Sequence, residues 1–279
     1  MDARAPITGI TLIAGFASTV GWPLSAYLSA HFGWRACCLT WAAIHILLAL
    51  PMNLLLIPKA EHRPADQMRK AAGASATPAA PAVAHAPVRT SILLAIFFAT
   101  TAFVTSAMAA HLPGLMVATG VTTAIAVTAG ALLGPAQVAA RIAEYALARR
   151  YSIHPLITAR VATALHPVGA ALIALQFGVP MGAFGFAVLH GAGNGMITIA
   201  KGTLPLAIFG PVGYGLRTGI LSAPARVALS AAPFAFGVLL DRIGASAVLL
   251  SAGLSLAAFA SLLLLRRRAA PAVAPAASD

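Results

Sequence analysis

Long stretches without a charged side chain divide this sequence and dictate its architecture. Asp, Glu, Lys and Arg are missing from six runs: residues 5–34, 36–58, 90–140, 161–200, 227–240 and 243–265. An α-helix of about 20 apolar residues crosses the hydrocarbon layer of a bilayer, so most runs predict one membrane span and the longest predict two. With glycine, proline and charged positions as boundaries, the sequence predicts eight transmembrane helices, near 7–30, 36–57, 91–112, 119–140, 156–177, 182–205, 216–239 and 245–265.

The basic residues between the spans test this threading. When Arg160 and Arg226, which lie inside predicted spans, are set aside, fourteen Lys and Arg fall on one side and only Arg35 and Arg242 on the other. Positive loops mark the cytoplasmic side, so both termini are predicted to be cytoplasmic. The net charge of +12 lies in the gaps between spans rather than on a soluble face, which argues against nucleic-acid binding.

Residues 59–90 differ in composition from the spans. They are rich in Ala and Pro, carry several basic residues and hold too few large apolar side chains to insert or to form a core. This composition predicts a flexible cytoplasmic linker. The linker separates two helices in 1–58 from a six-helix bundle in 91–268, and a disordered tail is expected at 269–279.

Glycine and proline positions add local detail. His111-Leu-Pro-Gly114 is the predicted turn that divides the longest run into two spans. Gly130/Gly134 and Gly191/Gly195 have the four-residue spacing that lets helices approach closely, and helix packing is the simplest interpretation of both pairs.

Two predicted outward-facing junctions resemble each other. LSAHFGWRACCL (28–39) and LLDRIGASAVLL (239–250) share a leading Leu and a Gly five residues later. Each follows a proline-containing helix and precedes the last helix of its block. Two homologous half-bundles would produce such an internal similarity.

A basic linker followed by six helices, with Gly-Trp-Arg (33–35) before the last helix ahead of the linker, resembles the major facilitator superfamily (MFS). The stretch from Gly237 to Gly244, with Asp241 and Arg242 inside it, is similar to that family's loop signature Gly-x-Leu-x-Asp-Arg-x-Gly. The stretch 134–141, where a second copy is expected in a cytoplasmic loop, lacks the acidic residue.

The resemblance implies an all-α integral membrane protein with an MFS-like helical bundle. This chain would hold the last two helices of the N-terminal half and the six helices of the C-terminal half. Counterparts of the first four helices are missing, which implies an amino-terminally truncated protein that does not transport by itself.

The implied function is secondary transport by alternating access in a cell membrane, with the bacterial inner membrane as the expected location. The partners would be a small organic solute, the lipid bilayer and, if transport is coupled, protons. We expect no cofactor and no metal, since the histidines form no His-Glu-x-x-His or similar ligand spacing. A multi-pass membrane enzyme and a non-transporting membrane scaffold stay open as alternatives.

Polar residues inside the spans are the candidate site. On a helix, His190, Asn194 and Lys201 lie within about 40° of one another, and His190 falls near the middle of its span. Polar groups at that depth usually line a bundle interior, so His190 and Asn194 are predicted to bind the solute, whereas Lys201 is more simply a side chain that snorkels to the headgroups. Arg226 is the sharpest candidate and favours an anionic solute, because an uncompensated guanidinium inside a bilayer costs at least about 2.5 kcal/mol.

No Asp or Glu lies within the predicted spans, so another group must compensate Arg226. Carbonyls freed by Pro224, the missing helices or an anionic substrate are the options. A proton relay within this chain would then need His190. His166 flanks a proline and is expected, like His111, at the membrane interface. The remaining candidates for proton movement or gating are Lys201, His111, Arg160, Asp241 and Arg242.

Overall fold

The computed structural model describes residues 4–56, 87–210 and 213–265; for residues 4–19, 22 and 23 it describes only the backbone. The described residues form helices joined by short turns and contain no strand, which confirms the predicted all-α class. The predicted tail and nearly all of the predicted linker lie outside these residues, so their boundaries stay predictions.

The chain divides into two compact units, 21–85 and the remainder. Helix α1 covers Arg4–Ile44, but Gly33 interrupts it with φ 79° and ψ 167°. A π-helical turn at His45–Ala49 and helix α2, Leu50–Leu56, follow. Within the unit of 21–85, Trp41 Nε1 donates a hydrogen bond to Ser25 Oγ at 2.9 Å. This bond joins the two sides of the Gly33 break.

The carboxyl-terminal part is a bundle of long helices. The helices are α3 (Val88–Ala118), α4 (Thr123–Ala131), α5 (Leu133–Tyr151), α6 (Pro155–Leu175), α7 (Pro180–Phe209), α8 (Tyr214–Ile243) and α9 (Val248–Leu263). A short 3-10 turn, Gly244–Ala247, joins α8 to α9. The central helix, α7, packs on α5 and α6, while α3 packs on α8 and α9.

Six helical stretches of the described part are long and apolar enough to cross a membrane, as a multi-pass membrane protein requires. The predicted count of eight crossings is not confirmed. Tyr214–Leu263 forms one 50-residue stretch, although the 3-10 turn divides it into α8 and α9. Most of the first predicted helix, 7–30, lies where side chains are not described.

The predicted turn at His111–Gly114 is wrong. Helix α3 continues through Pro113 to its end at Ala118, and the chain turns where Gly120 adopts φ 97°. A Cβ on Gly120 would lie 3.5 Å from the Gly178 Cα, so the turn also packs closely on the loop between α6 and α7. Proline removes only one hydrogen bond from a helix, and neighbouring helices can keep such a segment helical in a membrane.

The predicted loop at 134–141 is also wrong, because this stretch lies in α5. Arg141, at its end, is buried against α7. Its Nε donates to the Gly195 carbonyl at 3.3 Å, and Nη2 donates to Gln137 Oε1 and Thr198 Oγ1, each at 3.4 Å. A buried guanidinium with such acceptors does not force the helix to end.

The expectation that no acid lies within a span fails for the same reason. Glu144 is buried inside the candidate span Thr123–Tyr151 and accepts a hydrogen bond from Thr158 Oγ1 at 3.0 Å. The helix extends beyond its predicted end at residue 140, because neighbouring helices provide partners for its charged residues.

The two glycine pairs differ in what they contact. A Cβ on Gly191 would lie 2.8 Å from the Leu133 carbonyl oxygen, and one on Gly195 would lie 2.6 Å from the Gln137 carbonyl oxygen. These glycines therefore let α7 approach the backbone of α5. A Cβ on Gly130 would meet nothing within 4 Å.

The internal similarity seen in the sequence has a local structural counterpart. Gly33 and Gly244, each five residues after the shared Leu, have φ of 79° and 56°. Both end a helical segment in a backbone conformation that favours glycine. The two junctions thus break their helices by the same means.

Candidate functional site

A polar layer lies between two apolar clusters inside the carboxyl-terminal bundle. On α6, α7, α8 and α9, the buried residues on one side of the layer belong to one apolar cluster and those on the other side belong to the second cluster. On α6, for example, Ala162 belongs to one cluster and Ala170 to the other. Apolar packing above and below shields such groups and raises the cost of leaving them without partners. The layer consists of His166 on α6, His190 and Asn194 on α7 and Ser255 on α9, and the exposed Arg226 lies beside it on α8.

His190 is the most enclosed member of the predicted stripe, with 2% of its surface exposed. Its ring stacks on His166 with centroids 4.5 Å apart and planes inclined by 20°, and on Phe186 at 5.5 Å. Its Nε2 atom is buried and has no hydrogen-bond partner among the described residues.

The prediction that His166 lies at the membrane interface is wrong. His166 is 3% exposed and occupies the middle of α6, where its Nδ1 lies 3.4 Å from Ser255 Oγ. Gly193 makes room for the ring, because a Cβ there would come within 2.6 Å of His166 Nε2. The helix continues through Pro167 and keeps His166 in the bundle interior.

Asn194 faces α3. Its Oδ1 lies 2.7 Å from Thr105 Oγ1, which also lies 2.8 Å from the Thr101 carbonyl. A hydroxyl has one proton, so Thr105 can donate to only one of these acceptors at a time. The Asn194 amide therefore keeps hydrogen-bonding capacity that a solute can use.

Lys201 lies on the same face of α7, two turns further along. Its Nζ is 6.0 Å from the centroid of the Phe98 ring, and its charge interacts with that of Arg226 on α8. Lys201 also acts electrostatically on His166. The lysine, which the sequence alone assigns to the headgroups, thus belongs to the electrostatic surroundings of the polar layer.

Arg226 is exposed on α8 and makes no hydrogen bond or ion pair with any described residue. The carbonyls near Pro224 therefore do not compensate its charge. Arg226 and Lys201 are two cations that repel each other. An anion placed between them would relieve this repulsion.

His111 has a contact that links two helices. Its Nε2 lies 2.7 Å from the Pro233 carbonyl oxygen, and its ring covers Gly237, the first residue of the signature-like stretch. Five residues earlier on α3, Ser106 Oγ donates to the Leu229 carbonyl at 2.8 Å. That carbonyl lacks its helical partner because Pro233 has no N–H. These contacts support a role for His111 in packing α3 on α8.

Arg160 binds the carboxyl-terminal end of α9. Its Nε and Nη2 donate to the Leu262 carbonyl at 3.1 and 2.9 Å, and Nη2 also donates to the Leu265 carbonyl at 3.0 Å. A cation is favourable at this end of a helix dipole. The geometry favours helix capping over the predicted part in proton movement or gating.

Asp241 and Arg242 lie outside the polar layer. Both are exposed in the last turn of α8, immediately before Gly244 ends the helix. Neither contacts the other predicted site residues in a described hydrogen bond. The structure therefore places His190, Asn194 and Lys201 along α7, with Arg226 on α8 near enough to Lys201 for their charges to interact, and it leaves His111, Arg160, Asp241 and Arg242 apart.

Sequence reasoning missed His166, Arg141 and Glu144. A usable signal existed for the last two, since Gln137, Arg141 and Glu144 follow helical spacing and so continue the pattern of the preceding span. For His166, no local signal indicated that its ring would stack on His190, which is 24 residues away in the sequence.

The family model of the Major Facilitator Superfamily matches residues 7–200, which is more than half of the chain. No curated protein matches the sequence.

Proposed function

This chain belongs to the Major Facilitator Superfamily, and from that premise we propose that it is a secondary transporter for a small organic anion, working by alternating access. Membership of the superfamily makes it a membrane transporter and favours transport over the alternative of a membrane enzyme. The charge of the solute is the part that the polar layer supports.

The observation that carries the proposal is the unpaired positive charge beside the polar layer. Arg226 and Lys201 repel each other, and Arg226 has no partner among the described residues. The guanidinium of Arg226 presents its N–H donors in a planar fork that matches the two oxygens of a carboxylate. Asn194, one helical turn from His190, offers a side-chain amide as a further hydrogen-bonding group. A carboxylate solute would therefore be bound by charge at Arg226 and Lys201 and oriented by Asn194.

Binding to the purified protein tests this proposal without requiring a complete transport cycle. Acetate, lactate, benzoate and succinate are titrated into the protein in detergent by calorimetry, with choline as a cationic comparison. We expect one or more carboxylates to bind and choline not to bind. Arg226→Gln should weaken carboxylate binding about 10- to 100-fold, because a hydrogen bond to a charged group contributes about 1.5 to 3 kcal/mol.

Arg242→Gln is the matched control, since Arg242 is also an exposed arginine of α8 but lies outside the polar layer. It should leave binding unchanged. Equal carboxylate affinity in the Arg226→Gln and Arg242→Gln proteins would remove Arg226 from the site. A preference for choline would overturn the assignment of an anion. Uptake of the bound carboxylate into proteoliposomes separately tests the expectation that this chain does not transport by itself, which measurable uptake would contradict.

A further inference from the structure

A cavity of about 250 Å³ lies at one end of the carboxyl-terminal bundle, where α3 and α6 begin and where α7 and α9 end. Apolar side chains form most of its wall. Leu156 and Leu265, which are 0% and 4% exposed, are its most enclosed members, whereas the lining residue Arg89 is exposed. The cavity therefore has an apolar floor and a cation at its mouth. No member of the polar layer lines it, so it is separate from the proposed solute site.

Arginines from three helices surround this cavity. Arg89 on α3 lines it and makes no hydrogen bond or ion pair with another described residue. Arg217 Nη1 on α8 donates to the carbonyl of the lining residue Phe209 at 3.0 Å. Arg160 Nη2 on α6 donates to the carbonyl of Leu265, also at 3.0 Å.

The positive charge at the cavity has no acidic counterpart close by. None of the described residues that line the cavity is Asp or Glu. The first turns of α3 and α6, which begin beside the cavity, contain no acidic residue either. Arg89 lies in the first turn of α3, where the helix dipole disfavours a cation and favours an anion. An anion at this mouth would thus be attracted by the arginines and by the helix end.

The size and position of the cavity indicate the kind of anion. Sites that enclose a small ligand usually measure about 300 to 1,000 Å³, so this cavity takes in only part of a molecule. It lies at helix ends, at the level of the lipid headgroups, and the positive-inside pattern predicts that this end faces the cytoplasm. A free phosphate would meet the arginines but leave the apolar wall unused. An anionic lipid would use both, because its remaining part stays in the bilayer.

We propose that this cavity binds one anionic phospholipid, with the phosphate at Arg89 and the upper part of an acyl chain against Leu93 and Leu156. Arg89 and Leu93 are four residues apart on α3 and so share one face of the helix. Arg160 and Arg217 add positive charge while they keep their bonds to helix carbonyls. The bound lipid would join the ends of α3, α6, α7 and α9. This inference does not depend on the charge of the transported solute.

Native mass spectrometry of the purified protein in detergent counts the lipid molecules bound. The protein is titrated with phosphatidylglycerol or with phosphatidylcholine of the same acyl chains. We expect the first phosphatidylglycerol to bind at least about fivefold more tightly than the first phosphatidylcholine, since one basic residue near an anionic lipid contributes about this factor. Arg89→Gln should lower the preference by about fivefold for the same reason.

Arg149→Gln is the matched control for charge. Arg149 is an exposed arginine in the last turn of α5, at the same end of the bundle, but it does not line the cavity. This variant should keep the preference for phosphatidylglycerol. Equal affinities for the two lipids, or equal losses in Arg89→Gln and Arg149→Gln, would overturn the proposal.

A second pair of variants tests whether the lipid enters the cavity. Ala207→Phe places a ring in the cavity from an exposed position on α7, so it should remove the tight first binding step. Ala146→Phe adds the same ring at an exposed position on α5 outside the lining and should not. Tight binding that persists in Ala207→Phe would place the lipid elsewhere and refute the assignment.

Glycerol 3-phosphate distinguishes a lipid from a soluble phosphate. It has the phosphate of the lipid without acyl chains, so at the same concentration it should leave phosphatidylglycerol bound. Displacement of the lipid by glycerol 3-phosphate would show that the phosphate alone is recognised and would overturn the choice of a phospholipid.

Discussion

Gly195 allows the sharpest prediction from backbone geometry. A Cβ at this position would lie 2.6 Å from the Gln137 carbonyl oxygen and 3.0 Å from the Gln137 Cα, both of which belong to the backbone of α5. Because backbone atoms cannot rotate away as a side chain can, Gly195→Ala must push α7 from α5. The same displacement would lengthen the hydrogen bond from Arg141 to the Gly195 carbonyl.

Overpacking of this kind costs about 1 to 3 kcal/mol. For a protein of this size, each kcal/mol lowers the melting temperature by about 2 to 4 °C, so Gly195→Ala should lower it by roughly 2 to 12 °C. Thermal unfolding of the purified protein in detergent, followed by circular dichroism at 222 nm, measures the change.

Gly130→Ala is the matched control, because Gly130 belongs to the other glycine pair and lies in helix α4. A Cβ there meets nothing within 4 Å, and alanine is the better helix former, so the melting temperature should stay the same or rise. Equal shifts for the two variants, or a larger loss for Gly130→Ala, would refute the claim that close approach of α5 determines the need for glycine.

Two further predictions concern hydrogen bonds to backbone carbonyls. Ser106→Ala should lower the free energy of unfolding by about 1 kcal/mol, because the Leu229 carbonyl loses its donor. In a Pro233→Ala background, residue 233 again has an N–H that can bond with this carbonyl, so the loss caused by Ser106→Ala should be smaller. Additive losses in a double-mutant cycle would contradict this expectation. Arg160→Ala should speed hydrogen exchange of the backbone amides in the last turn of α9, because this helix end loses its cap. Arg160→Lys keeps the positive charge and should keep part of the protection from exchange. Unchanged exchange in both variants would exclude capping of α9 by Arg160.

The helical class and the family could be inferred from local pattern alone. Charge-free runs long enough to span a bilayer require helices, since a helix satisfies its own backbone in lipid. The similarity of the two junctions was equally informative: Gly33 and Gly244 both break their helices in positive-φ conformations. Such features depend on neighbours in the sequence, and the sequence displays them.

Helix ends were harder to predict where charges or prolines have tertiary partners. The span predicted to end at residue 140 continues through Glu144, because Thr158 on the next helix provides a partner for this carboxylate. Pro113 suggested a turn, but α3 continues past it because its neighbours keep the segment helical. In both cases an interaction between helices outweighs the local preference.

The sequence by itself determined that a polar stripe of His190, Asn194 and Lys201 would share one helix face, because that depends only on the helical repeat. Tertiary structure alone decided what each residue meets: His166 stacks on His190, Thr105 faces Asn194, and the charges of Lys201 and Arg226 interact. These partners lie on other helices. Their positions follow from how ridges, glycines and apolar clusters pack between helices, and the periodicity of a single helix contains no information about that packing.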